Sequence, residues 1–334
     1  MTTPPPASTK TEMKKILITG LPPSDEMKTF MKNQGYEILS PGVLKEDEII
    51  EALAGVDAYI PGGEEVVTEK IIASAKNTLK VISFNGVGYG YYVDVPAAKK
   101  HNIAVTNVPH ANSLAVSEFT VALILTLMKK IPIMNKETKS GLWHKYISQD
   151  VSDKTIGIVG MGSIGRLVAK KMYYGFGCKI LYYSRTRESD IEQELDAKFV
   201  ELHDLCRLSD VITLHLPYTS ETRHIIDEKC FHEMSPDTCL INTARAELVS
   251  PIALRDALLS NKINAAAFDC YYSGKVPSDP SEDTFGLLNL PDDKFILTPH
   301  AAYNTVNSNT EVDKIALQNI VDIFNTGSCT NQVM

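Results

Sequence analysis

Three stretches of the chain hold backbone and side chains suited to chemistry, and the first is Gly160-Met-Gly162-Ser163-Ile164-Gly165. The apolar run Ile156–Val159 leads into it, and a helical stretch from Arg166 to Tyr174 leads out. In that setting Gly160 permits a tight turn, Gly162 lets a pyrophosphate approach the backbone, and Gly165 lets a helix pack closely on a sheet. The free N–H groups of the helix start then face the phosphates of a dinucleotide. The second stretch, Ser184-Arg185-Thr186-Arg187, follows the apolar run Lys179–Tyr183 at the distance where a ribose is read. A carboxylate there would accept from the 2′-hydroxyl of NAD. Two guanidiniums and two hydroxyls suit a 2′-phosphate better and point to NADP, with NAD as the alternative. The plainer reading of the two arginines is a solvated loop.

The third group lies at the ends of later apolar runs. In Asn242-Thr243-Ala244-Arg245 an arginine comes directly after a buried run, which is costly unless an anion meets it. Its planar fork can grip the carboxylate or carbonyl of a 2-oxo acid, and a structural salt bridge is the competing explanation. In Thr298-Pro-His300 an imidazole closes the last apolar run, placed to exchange a proton with a substrate oxygen, or else to serve as a satisfied structural histidine. Asp269, after Asn264–Phe268, is placed to contact a cofactor or tune the histidine, unless it is only a turn residue.

These stretches need strands and helices to hold them. Apolar runs at 15–19, 36–39, 57–60, 79–83 and 103–106 alternate with helical segments near 25–34, 46–53, 68–75 and 94–100, which predicts a small parallel α/β unit. A helix over 113–129, with Asn112 as its cap, leads into a second unit, and residues 139–145, which hold Trp143, read as irregular. Runs at 156–159, 179–183, 210–216, 238–242, 264–268 and 295–297, with helices near 201–208, 228–233 and 251–260, predict a doubly wound sheet of six or more strands. An amphipathic helix over 308–324 follows. The fold expected is thus α/β: a Rossmann-type doubly wound parallel sheet with a second, smaller flavodoxin-like α/β domain. The expected boundaries are a disordered tail at 1–12, a substrate domain of 13–111 plus 300–334, and a dinucleotide domain of 112–299.

Composition narrows the class. A content of 44% hydrophobic and 22% charged residues fits a globular protein, and a net charge of −8 argues against a nucleic-acid surface. Leu114–Met128 is too short for a bilayer and contains Glu118, so no membrane partner is expected. The six cysteines have no metal-ligand spacing and read as reduced thiols of a cytoplasmic protein.

In order and spacing, Gly160 to Gly165, Ser209-Asp-Val-Ile-Thr-Leu-His-Leu-Pro217, Asn242 to Arg245 and Thr298 to His300 resemble the D-isomer-specific 2-hydroxyacid dehydrogenase family. Asn85-Gly-Val-Gly-Tyr89, Asp94-Val95 and Thr106-Asn-Val-Pro109 agree, so the resemblance runs from about Lys14 to Phe324. It implies metal-free, NAD(P)-dependent hydride transfer on a small 2-oxo acid in a cleft between two domains of a homodimer. By position, Arg245 corresponds to the substrate-binding arginine, His300 to the acid–base residue, and the N–H groups of Val87 and Gly88 to those that hold the substrate carboxylate. Ser163, Ile164, Leu216, Pro217, Thr222, Thr243, Ala244 and Asp269 fall where the family touches its cofactor. Ser184 with Arg185 resembles the NADPH-preferring hydroxypyruvate and glyoxylate reductases. The substrate pocket, by analogy, lies near Tyr59–Gly63, Val87, Trp143 and Tyr303.

The sequence also departs from the family. Its catalytic glutamate, five positions past the aspartate, is Gly274 here, which should leave His300 less basic and less well oriented. Ala246 replaces the usual glycine, Ser250 an acidic residue, and Gly88–Asp94 carries one extra residue. Two readings follow. In one, the enzyme works without the glutamate, with Glu282, Asp279, Asp283, Tyr271, Tyr272 or Tyr303 available to compensate. In the alternative, the fold is a catalytically weak or inactive dinucleotide sensor, like the family's corepressor branch.

Overall fold

The computed structural model describes residues 13–62 and 65–333. The proline-rich tail at 1–12, expected to be disordered, lies outside the described residues, as does Gly63 of the expected pocket. In chain order the first elements are β1 (Lys14–Thr19), α1 (Asp25–Asn33), β2 (Tyr36–Gly42), α2 (Glu46–Ala52), β3 (Ala58–Ile60), α3 (Glu69–Ser74), β4 (Val81–Ser83), α4 (Val95–Lys100) and β5 (Ala104–Thr106). Next come α5 (Ser113–Met128), α6 (Ile131–Lys139), β6 (Thr155–Val159), α7 (Ser163–Phe176), β7 (Lys179–Tyr183), α8 (Ser189–Leu195), β8 (Lys198–Phe199) and α9 (Leu202–Leu208). The chain ends with β9 (Val211–Leu214), α10 (Glu228–Glu233), β10 (Cys239–Asn242), α11 (Pro251–Leu259), β11 (Ala265–Phe268), β12 (Phe295–Leu297) and α12 (Val306–Thr326).

Two compact units result. The first holds the described residues up to Asn112 and from Val306 onward, and the second spans Ser113–Thr305. The return to the first unit therefore comes after Thr305, later than the expected break at 300. The reason is local: the turn after β12 is hydrogen-bonded to Asp269, which follows β11 of the second unit.

The first unit is a five-stranded parallel sheet in the order β2-β1-β3-β4-β5, which is the flavodoxin-like arrangement. Its inner strands β1, β3 and β4 are buried on both faces, so they read as short apolar runs rather than alternating ones. One face packs Leu17, Tyr59 and Ile82 under α2, α3 and α4. The other packs Ile16, Ile18 and Ala58 against Ala316 and Ile320 of α12. Hydroxyl and carboxylate caps open several helices: Ser24 accepts from the Met27 N–H, and Asp94 from the Ala97 N–H, with Pro96 in the first turn of α4.

The second unit is a seven-stranded parallel sheet ordered β12-β11-β10-β9-β6-β7-β8. The order reverses between β6 and β9, so a crevice opens there at the carboxyl ends of the strands. Ile156, Ile158 and Ile241 face one core with α5 and α7, while Val159, Ile212 and Leu240 face another with α9, α10 and α11. Asn112 does not cap α5. The chain is already turning over residues 109–112, and the Asn112 Oδ1 is buried without a hydrogen-bond partner among the described residues. Helix α7 begins at Ser163, three residues before the expected Arg166. Helices α6 and α8 and the two-residue β8 were not legible as periodic patterns.

The close packing of α7 on β6 is testable. A Cβ built on Gly165 would lie 2.2 Å from the Gly160 carbonyl oxygen, whereas one on Gly175, late in the same helix, meets nothing within 4 Å. Gly165→Ala should lose roughly 1–3 kcal/mol of stability by overpacking. Gly175→Ala should gain about 0.5–1 kcal/mol from reduced chain entropy. Urea unfolding midpoints of the two variants check this, and equal midpoints would refute the packing argument.

Candidate active site

At the switch point, the Gly160 N–H donates to the Tyr183 carbonyl at 2.8 Å and the His215 N–H to the Val159 carbonyl at 2.8 Å. Gly160 has φ +103°, and a Cβ on it would lie 2.7 Å from the His215 carbonyl oxygen, so only glycine fits this turn. Gly162 precedes α7 as its N-cap and contributes no side-chain cap. The first N–H groups of this 14-residue helix thus face the open space where a Gly162 Cβ would meet nothing within 4 Å. That cradle fits a pyrophosphate, with Ser163 and Ile164 in its first turn and Leu216 beside Gly160. Nearby, Thr222 Oγ1 donates to the Pro217 carbonyl at 2.7 Å, which shapes the loop after β9.

His215 was not singled out from the sequence. It follows β9 at this same crevice, its Nε2 lies 3.0 Å from Thr213 Oγ1, and burial pushes its imidazole down to about 3. A neutral ring pinned to a threonine is a wall of the crevice rather than a cation for phosphate. Alternation along the run Val211–Leu216 was the only signal that could have placed it there.

The four residues after β7 divide by function. Thr186 Oγ1 donates to Glu188 at 3.0 Å, and Arg187 makes a bidentate pair with Glu192 at 3.1 and 2.8 Å. Ser184 and Arg185 have no such partner among the described residues, and Arg185 is exposed. Of the two expected cations, one is free for an anion and the other is already paired.

The reactive side chains share one edge of the sheet. Asn242 of β10 is in register with Phe268 of β11, and Phe268 with Leu297 of β12, so the three strands end level. Arg245, Asp269 and His300 follow within three residues of those ends. The fully buried Asn242 braces the first turn: its Oδ1 accepts from the Ala244 N–H at 3.0 Å and its Nδ2 donates to the Arg245 carbonyl at 2.8 Å. Thr243 Oγ1 lies 2.9 Å from Thr120 of α5. The Arg245 guanidinium donates only to the Ala244 carbonyl, at 2.8 Å, and no carboxylate pairs with it among the described residues. The salt-bridge explanation therefore fails for Arg245, and its fork is unpaired with any carboxylate among the described residues.

Asp269 is 2% exposed and accepts from Thr298 Oγ1 at 2.5 Å and from the N–H groups of Ala301 and Ala302 at 2.9 and 2.7 Å. It clasps the turn that carries His300, whose φ of +54° is rare for a side chain with a Cβ. Burial lowers the His300 pKa, the Arg245 charge lowers it further, and the Asp269 carboxylate partly offsets both. His300 is thus neutral near pH 7, and it senses both the guanidinium and the carboxylate.

None of the carboxylates proposed to compensate for Gly274 acts on His300. Asp283 accepts from Tyr271 Oη at 2.5 Å and from the Phe285 and Leu288 N–H groups, and Asp279 accepts from the Ser281 N–H. Glu282 is exposed. Tyr272 Oη donates to the Val249 carbonyl at 3.1 Å. Tyr303 is the aromatic beside His300, with ring centroids 5.6 Å apart. Gly274 itself has φ +80° and follows Ser273 at φ +61°, a left-handed pair that a glutamate would strain.

In the first unit, the N–H groups of Val87 and Gly88 have no acceptor among the described residues, while the Val87 carbonyl takes Asn107 Nδ2 at 3.1 Å. Tyr59 is buried and donates to Glu65 at 3.1 Å, so it packs rather than lines a surface. Trp143 is 80% exposed. Among the described residues no helix is long and apolar enough to cross a membrane, and no three His, Cys, Asp or Glu side chains gather to hold a metal.

Comparison with known proteins agrees with this geometry. Residues 121–302 match the family model described as D-isomer specific 2-hydroxyacid dehydrogenase, NAD binding domain. The chain is 32% identical over 319 residues to a glyoxylate reductase of Thermococcus litoralis, covering 92% of each. It is 31% identical over 311 residues to a D-3-phosphoglycerate dehydrogenase of Archaeoglobus fulgidus, covering 92% of this chain but only 57% of that longer protein. Among solved structures, an acyclic imino acid reductase in complex with NADPH and D-arginine superposes with a TM-score of 0.80 at 27% identity, covering 96% of this chain and 100% of that one. On this match and these identities, the chain belongs to the D-isomer specific 2-hydroxyacid dehydrogenase family and is an NAD(P)-dependent oxidoreductase of that class.

Proposed function

We propose that the protein reduces a small 2-oxo acid to its D-2-hydroxy acid, with NADPH preferred to NADH. The observation that carries this reading is an unpaired guanidinium, Arg245, on the same strand edge as the neutral imidazole of His300. Glycines 160, 162 and 165 with Ser163 and Ile164 would hold the pyrophosphate, and Ser184 with Arg185 the 2′-phosphate. Leu216, Pro217, Thr222, Thr243 and Ala244 line the approach to them. When bound, the nicotinamide supplies the hydride that reaches the carbonyl carbon. Arg245 binds the carboxylate and polarises the carbonyl oxygen, and protonated His300 delivers the proton to that oxygen. Val87 and Gly88 offer the first unit's free N–H groups to a carboxylate. Asp269, its oxygens occupied by the turn, acts by placing His300 rather than by touching the cofactor. The NADPH complex of the imino acid reductase and the glyoxylate reductase relatives support the choices of cofactor and substrate class.

A homodimer in the cytoplasm completes the reading. Leu142, Trp143 and Ile147 follow α6 and are 46%, 80% and 91% exposed, an apolar strip that a second copy would cover. Light scattering after gel filtration should give twice the chain mass, and Trp143→Asp should shift it to the monomer.

Steady oxidation of NADPH with glyoxylate, hydroxypyruvate or bulkier 2-oxo acids tests the reaction. Arg245→Ala should lower kcat/KM by about two orders of magnitude, ~3 kcal/mol, as expected for a lost charge-assisted fork. Tight nucleotide binding with no turnover across the panel would overturn the reading.

The pH profile follows from the lowered His300 pKa. Reduction needs the imidazolium, so its kcat/KM should fall as pH rises through a pKa below the usual histidine value of about 6.5. Oxidation of the hydroxy acid needs the neutral ring, so it should be lost only as pH falls through that same value. Residual reduction by Arg245→Ala should persist to higher pH, because a charge that depresses the histidine is gone. A reduction rate that stays flat well above neutrality would contradict the role of His300.

A further inference from the structure

The loop after β7 is held from beneath by one phenol. Tyr182 is fully buried, with its ring edge-on to Phe199 at 5.5 Å between centroids. Its Oη accepts from the Glu188 N–H at 2.8 Å and donates to Glu192 Oε1 at 2.6 Å. Burial raises the phenol's pKa, while Arg187 and then Tyr182 keep the Glu192 carboxyl low, so a protonated donor meets an ionised acceptor. The same Glu192 carboxylate takes Arg187 in a fork, and the Arg187 guanidinium sits 5.9 Å over the Phe199 ring. On the other side, Arg166 of α7 pairs with Glu188 and, at 2.6 and 3.1 Å, with Asp190. Residues 186–188 are therefore fixed by side-chain bonds, and the guanidinium of Arg187 is turned to α8. Arg185 and Ser184 are the polar groups of the loop left without partners among the described residues.

We propose that Tyr182 is a positioning residue for nucleotide selection: with Glu192 it pins the loop and withholds Arg187, so that Arg185 alone meets a 2′-phosphate. The inference rests on the NADPH reading above and adds how the preference is built. Two cations in sequence act as one, because Glu192 holds the second away from the ligand. No bond is made or broken; the effect is preorganisation, which loses affinity when the loop is free to wander.

Titration of the full-length protein with NADPH and with NADH, followed by nucleotide fluorescence, tests it. Tyr182→Phe keeps the buried ring and removes the hydroxyl. It should weaken NADPH about five- to tenfold and NADH less than about twofold, the size expected for one ordinary hydrogen bond, with kcat at saturating NADPH unchanged. Arg185→Ala should cost NADPH about tenfold or more, and Arg187→Ala, an exposed change that leaves the fold intact, less than about twofold. The proposal is overturned if Tyr182→Phe weakens both nucleotides equally or neither, or if Arg187→Ala costs NADPH as much as Arg185→Ala. A wild-type protein with no NADPH preference removes the cofactor reading and this one together. A preference undiminished by Tyr182→Phe removes this one alone.

Discussion

The carboxylate of Asp269 holds the reactive edge together. Buried at the end of β11, it takes one hydroxyl and two backbone N–H groups from the turn after β12. A charged acceptor contributes roughly 1.5–3 kcal/mol per such bond, enough to offset the roughly 1–2 kcal/mol that a left-handed residue such as His300 costs. Without that clasp the turn has no reason to keep a non-glycine residue at positive φ. The histidine's place is thus a property of a neighbouring strand. The same bonds explain why the second unit keeps the chain until Thr305.

Around that clasp the charges are sorted by whether they are satisfied. Arg166, Arg187 and Lys154 each have carboxylates, and their role is to fix loops and strand starts. Arg245 and Arg185 have none among the described residues. An unpaired guanidinium half-buried at a strand end costs stability, and the sheet tolerates it because Asn242, fully buried, spends both ends of its amide on the backbone that carries Arg245. The contrast between Arg185 and Arg187, two residues apart, shows that sequence proximity does not decide which cation is paired. The carboxylate opposite does.

That point marks where sequence reading stops. Most strands of both sheets were legible because they are apolar runs with buried faces, and the glycine turn because three glycines at that spacing stand between such a run and a helix. Arg245 and His300 were legible because a polar residue directly after such a run is expensive. The pairing of Arg187 with Glu192 was not, since it depends on α8, a seven-residue helix too short to show a period. Strand β8 has two residues and no pattern at all. Asp269 carried three open readings in the sequence, and its hydrogen bonds to Thr298, Ala301 and Ala302 could not be read there. His215 looked like one more residue of a strand until the bond from its N–H to the Val159 carbonyl, just past the Val159–Leu214 pair, put it at the crevice.

The missing glutamate is best understood through the same backbone. At Gly274 the loss is more than a side chain: Ser273 and Gly274 both sit at positive φ, and Gly274 donates its N–H to the Tyr271 carbonyl at 3.0 Å. Tyr271 and Tyr272 bury their rings against Phe285, and the Ser273 N–H is taken by Glu247 at 3.2 Å. The segment has been rebuilt around tyrosines, and a carboxylate grafted at 274 would meet a conformation made for glycine. The group that favours the imidazolium is the Asp269 carboxylate, whose oxygens are already shared with the turn. Arg245 opposes it. On the proposed reading, a histidine so placed is a weak base that gains proton affinity once a carboxylate neutralises Arg245, which would couple substrate binding to protonation.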